Sequence, residues 1–172
     1  MSTNPAAVKS QLTPPHGRDQ ICALFGDISR YILPDHSLDP RWESGFLARA
    51  SLPFAIPLSW DKSRFVAQIK CHKLLADTLA AVFARIHCAG LQQEITSFGG
   101  CFCFRPQRTG TKLSTHAWGI AVDLNPETNA QATQGSMNAG VIAIFKDAGF
   151  QWGGDWQGRL CDPMHFQFCS GY

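Results

Sequence analysis

His116 and Asp123 stand seven positions apart in Ser114-Thr115-His116-Ala117-Trp118-Gly119-Ile120-Ala121-Val122-Asp123, and Asp162-Pro163-Met164-His165 follows near the end of the chain. Two imidazoles and one carboxylate suit a single zinc ion per chain and leave a fourth position open. With one anionic ligand such a site stays net positive, which lowers the pKa of a water and polarises a carbonyl. Asp162, three residues before His165, is placed to act as a general base beside the ion. Arg105 and Arg108, in the loop entering the first motif, are the candidates to face a developing oxyanion. Ser114 is a candidate to hydrogen-bond a ligand or the loop backbone.

Strand periodicity tells which of these residues can meet. From Ile120 to Leu124 the alternation puts Ile120, Val122 and Leu124 on one face and Ala121 and Asp123 on the other. A carboxylate flanked by aliphatic residues needs a partner or a cation. His116 has the wrong parity for that face in a continuous strand, so Gly119 is expected to bend the chain and bring it round. The same alternation places His165 and Gln167 together, opposite Phe166 and Phe168. Asp162 precedes a proline and is expected to be extended, outside the strand. The residues alone leave plainer alternatives open. His116 could cap a turn, Asp123 could pair with an arginine, and His165 could be a satisfied core histidine.

The rest of the chain must fold to position this set. Its 172 residues, 45% hydrophobic and 16% charged, suffice for one domain with one core and exclude a disordered or coiled-coil protein. A net charge of +2 with scattered Lys and Arg gives no nucleic-acid footprint, and no apolar run reaches membrane-spanning length. Seven cysteines without a Cys-x-x-Cys pair read as buried, reduced thiols. Residues 1–10 lack the apolar run of a secretory signal.

Along the chain, residues 1–16 read as a flexible leader and 17–172 as one domain. Within it, 17–60 reads as an irregular arm rich in proline, with Trp42, Phe46, Phe54 and Trp60 seeking burial, after a short helix from Arg18 to Gly26. The catalytic core, 61–172, is expected to open with the longest helix, Lys62 to Cys88. Asp61 would cap it, and Cys71, Leu75, Leu79, Val82 and Ile86 would form its buried stripe. His72 and His87 fall on this helix as packed or surface residues, and His16 and His36 on the surface. Leu91–Ser97 and Cys101–Phe104 read as strands about a Phe98-Gly99-Gly100 turn. A loop from Asn125 to Gly135, a helix from Met137 to Ala148 closed by Gly149, and a strand from His165 to Phe168 complete an α+β fold: a small antiparallel sheet with helices packed on it.

Ser114-x-His116-x-x-Gly119-x-Ala121-x-Asp123 followed by Asp162-x-x-His165 resembles the signature of the zinc D-alanyl-D-alanine carboxypeptidases and VanY-like peptidases. That group includes phage endolysins that cut L-alanyl-D-glutamate bonds in peptidoglycan. The likeness runs from about Gly90 to the C-terminus and takes in Leu124-Asn125-Pro126 and Trp152-Gly153-Gly154-Asp155-Trp156. It implies the same α+β fold with the zinc site on the sheet. His116, Asp123 and His165 match the zinc ligands and Asp162 the general base. Arg105 matches the substrate and oxyanion arginine, with Arg108 second. The base is Asp rather than Glu, a shorter carboxylate with the same chemistry. The implied activity is peptidase action on peptidoglycan stem peptides, as an L-alanyl-D-glutamate endopeptidase or a D,D-carboxypeptidase or dipeptidase. The expected setting is a monomer without nucleic-acid or membrane partners, made in the cytoplasm and acting on the wall after phage or prophage lysis. A zinc-binding structural or wall-binding protein without turnover is the reading of another class, and all four site positions being filled weighs against it.

Overall fold

The computed structural model describes residues 12–107 and 112–172. Arg108 and most of the expected leader lie outside the described residues. The elements in chain order are α1 (Gly17–Phe25), α2 (Pro40–Phe46), β1 (Leu47–Leu58), β2 (Asp61–His72), α3 (Ala76–Cys88), β3 (Phe98–Gly100), β4 (Ala121–Leu124), α4 (Ala139–Asp147), β5 (Gln151–Trp152) and β6 (His165–Gln167). Short 3-10 turns join several of them. The six strands form one sheet in the order β2-β1-β3-β4-β6-β5. Every neighbouring pair is antiparallel except β1 and β3, which meet in parallel at Leu58 and Phe98.

Helices α3 and α4 cover one face of the sheet. Leu79, Val82, Phe83 and Ile86 of α3 and Val141, Ile144 and Phe145 of α4 are buried. Phe145 stacks on Phe166 of β6 with ring centroids 4.2 Å apart and meets Phe83 edge-on at 6.0 Å. The register pairs Val122 with Phe166 and Asp123 with His165. Phe166 therefore points at the helices, and Asp123, His165 and Gln167 point to the opposite face. The expected helix ends are present. Asn138 Oδ1 accepts from Gly140 N and Val141 N at the start of α4, and Gly149 follows its end with φ +95°.

The main departure lies between residues 47 and 72. Leu47–Leu58 belongs to the stretch expected to be irregular, and Asp61–His72 to the start of the expected long helix, yet they pair as the longest strands of the sheet. Asp61 does accept from the backbone N–H of Ser63, at 3.2 Å, but the bond lies at the start of β2, just after the hairpin turn, instead of capping a helix. Side-chain bonds of this kind serve turns and helix starts alike. Ile69 and Cys71 are buried between exposed Gln68 and Lys70, the period of a strand. Cys71 falls four residues before Leu75, so a coincidence of spacing carries the helical stripe across the boundary. Pro53 is accommodated where the β1–β2 register shifts, between Ser51 and Ile56. Trp42 is fully buried, but Trp60 is 64% exposed near the hairpin tip, against the expected burial. Leu91–Ser97 contains a 3-10 turn instead of a strand, the expected Phe98-Gly99-Gly100 turn is the strand, and Cys101–Phe104 is irregular. Cys71, Cys101 and Cys169 are buried thiols, whereas Cys88 and Cys103 are exposed.

His72 ends β2 in the core, 1% exposed, instead of lying on a helix. Its Nε2 donates to Phe25 O at 3.0 Å, and its Nδ1 accepts from Leu74 N at 3.3 Å. Burial, ahead of the bond to Phe25, pushes its pKa down to about 4. The unfolded chain takes up this proton near pH 6.5, so between the two values the unfolded state binds more protons. The stability His72 contributes is complete above about pH 6.5 and is lost as pH falls toward 4, in total about 3 kcal/mol. Urea unfolding at pH 7 and pH 4.5 should show that loss in the wild-type protein and a smaller one in His72→Gln.

Candidate metal centre

His116 does not belong to a strand. It lies in a 3-10 turn, Thr115–Trp118, which Ser114 caps by accepting from His116 N at 3.3 Å. Gly119 closes the turn in the left-handed region, φ +70°, and hands the chain to β4. A Cβ there would stand 2.8 Å from His72 N, so both the backbone angle and the space require glycine. This bend corrects the parity of His116 and aims it at Asp123. Gly99 of β3 allows the closest approach from the other side, since a Cβ would stand 2.9 Å from Asp123 Cβ.

The three side chains converge. His116 Nε2 is 3.2 Å from Asp123 Oδ1 and 3.2 Å from His165 Nδ1, and His165 Nδ1 is 2.9 Å from Asp123 Oδ1. All three residues are nearly inaccessible to solvent. Each ring has its outer nitrogen occupied. His116 Nδ1 donates to Cys101 O at 2.6 Å, and His165 Nε2 donates to Gln167 Oε1 at 3.1 Å. In their neutral form, imidazoles held in this way turn their remaining lone pairs inward, beside a carboxylate oxygen. Three acceptors facing one point repel unless a cation or a proton lies between them.

A tetrahedral ion with ligand bonds of about 2.0–2.1 Å separates its ligand atoms by about 3.3 Å, close to the distances observed. The donor set therefore fits a metal ion, and His116, Asp123 and His165 are a cluster that could hold one. The electrostatics agree. Burial pushes the Asp123 carboxyl upward, but His116 and His165 outweigh it and hold the group well below the usual carboxylate range. Burial pushes His165 down, and the bond and charge of Asp123, with the charge of Asp162, more than reverse it.

The cluster opens on a cavity of about 390 Å³. Arg105, Ser114, Asp162 and Trp156 share its walls with the three candidate ligands, and Arg105 is the one Lys or Arg among the described lining residues. Leu160, 59% exposed, leaves the cavity open to solvent on its side. Arg105 is positioned from below the motif, its carbonyl accepting from Ser114 N at 2.9 Å. Asp162 is fixed by backbone bonds from its N–H to Gly153 O, 2.9 Å, and from His165 N to its carbonyl, 3.0 Å. A Cβ on Gly153 would stand 2.4 Å from Asp162 O, which explains that glycine of the Trp-Gly-Gly-Asp-Trp segment.

Two supporting residues were not legible beforehand. Asn125, with φ +51°, accepts at Oδ1 from Thr96 N and Ser97 N and donates to Glu94 O. Asn129, fully buried, donates to Asn125 O, while its own carbonyl accepts from Met164 N. Together they tie the loop after β4 to the turn that carries Asp162. Asn125 stands in the Leu124-Asn125-Pro126 segment of the family likeness, but no local pattern gave it this role, since an asparagine directly after a strand also marks ordinary turns.

Residues 107–168 match the family model for D-alanyl-D-alanine carboxypeptidase. The matched region contains the whole His-Asp-His cluster and Asp162. No curated protein matches the chain.

Proposed function

We propose that the protein is a zinc metallopeptidase of bacterial peptidoglycan stem peptides, cutting as an L-alanyl-D-glutamate endopeptidase of endolysin type. The observation that carries the zinc reading is the convergence of three acceptor atoms, 2.9–3.2 Å apart, at the wall of an open cavity. His116 through Nε2, Asp123 through Oδ1 and His165 through Nδ1 would hold the ion. Zinc, when bound, supplies a Lewis acid that polarises the scissile carbonyl and makes water more acidic. Asp162 takes the proton of the attacking water and returns it to the leaving amine. Arg105 attracts the anionic substrate and faces the charge that develops on its carbonyl oxygen. Ser114 keeps His116 in place through the turn.

An opening toward solvent suits a peptide that continues past the cut bond, which favours endopeptidase over dipeptidase action. The description of the matching family favours the second reading, release of a terminal D-alanine. Digestion of purified peptidoglycan with mass spectrometry of the products separates them. New L-alanine carboxyl and D-glutamate amino ends are expected. Loss of terminal D-alanine alone would replace the endopeptidase with the carboxypeptidase, and no released ends would remove the wall substrate.

A further inference from the structure

The two imidazoles of the cluster are oriented by different means. His116 is turned by a backbone carbonyl, that of Cys101. His165 is turned by side chains alone. Its Nε2 lies 3.1 Å from Gln167 Oε1 and 3.4 Å from Thr115 Oγ1. Gln167 Nε2 donates to Cys169 O at 3.3 Å, which decides which end of the amide is oxygen. Thr115 Oγ1 donates to the same Oε1 at 3.2 Å. Gln167 and Thr115 are each 3% exposed, so these bonds are shielded from bulk water.

An amide oxygen has no proton to give. At 3.1 Å the proton between Gln167 and His165 therefore belongs to His165 Nε2. Only Nδ1 is then left to face Asp123 and His116. Strand geometry makes the arrangement local, because Gln167 follows His165 by two residues and shares its face. Opposite Gln167 the register puts Ala121, whose small side chain leaves the amide room.

We propose that Gln167 is the positioning residue of the centre: its amide oxygen, braced by Thr115 and by Cys169 O, holds the proton of His165 on Nε2 and so presents Nδ1 to the metal. The proposal rests on the zinc reading for its consequence and on hydrogen-bond chemistry for its cause, and the two can be tested apart.

Zinc affinity is read by competition with a chromophoric chelator, with circular dichroism as the check of folding. Gln167→Leu keeps the bulk and removes the acceptor, and zinc binding should weaken roughly 10–100-fold, the usual loss for a residue that orients a metal ligand. Gln167→Glu restores the acceptor and should bind within a few-fold of the wild type. Thr115→Val, which removes one brace only, should lose a few-fold and gives the answer if Gln167→Leu does not fold. Nuclear magnetic resonance of the His165 ring supplies the readout that needs no metal. A slowly exchanging Nε2–H proton is expected in the wild-type protein with and without zinc, and it should be lost in Gln167→Leu and exchange faster in Thr115→Val. Unchanged zinc affinity in Gln167→Leu, an unchanged ring proton in either variant, or a Gln167→Glu protein as weak as Gln167→Leu would each overturn the assignment. A wild-type protein that binds no zinc yet protects the ring proton would instead overturn the zinc reading and leave the orientation of His165 standing.

Discussion

Asp162→Asn should bind zinc as the wild-type protein does and lose turnover by roughly 10²–10⁴-fold, the range for a missing general base. That loss corresponds to about 3–5 kcal/mol of transition-state stabilisation. The substitution is close to isosteric. The backbone bonds that hold this turn, Asp162 N to Gly153 O and His165 N to Asp162 O, do not involve the carboxylate. The candidate ligand His165 should therefore stay in place while the proposed proton acceptor disappears. Metal content by elemental analysis, beside the hydrolysis rate of a stem-peptide substrate, reads both halves. An unchanged rate would move the role of base to another group on the cavity wall.

His165→Ala should abolish both stoichiometric zinc and activity. It removes one of three converging ligand atoms and leaves Asp123 facing a single imidazole. Binding to the folded state alone raises stability by about 4 kcal/mol at a zinc concentration 1,000 times the dissociation constant. For a chain of this length that is a rise in melting temperature on the order of 10 °C. The wild-type protein should show that rise on zinc addition and His165→Ala should not. Asp123→Asn should behave in the same direction, because it trades an anionic oxygen for a neutral one within the same volume. Full zinc content in His165→Ala would take that residue out of the ligand set.

What could be read in the chain was local. Helix α1 and helix α4 show in their periodicity and end signals, and the strand β4 in its alternation. The bend at Gly119 follows from a parity mismatch between His116 and Asp123 that only a break in the strand can repair. The hairpin of β1 and β2 was not legible, because Asp61 makes the bond expected of a helix cap and Cys71 happens to extend the helical stripe of α3. Burial of Ile69 and Cys71 by the sheet and its helices decides the matter, and burial is a tertiary property. The supports of the site escaped for the same reason. Thr115 meets Gln167 across 52 residues and Asn125 meets Thr96 across 29, and no local pattern marks either pair.

By itself the sequence determined which residues can ligate: two histidines, one aspartate, a neighbouring carboxylate, and the glycine that lets the first pair meet. Which nitrogen of each histidine faces the centre was decided by the fold. An imidazole presents whichever nitrogen its other partner leaves free. Those partners, the carbonyl of Cys101 for His116 and the amide oxygen of Gln167 for His165, are in place only after β4 and β6 have paired and the turn carrying His116 has closed over them.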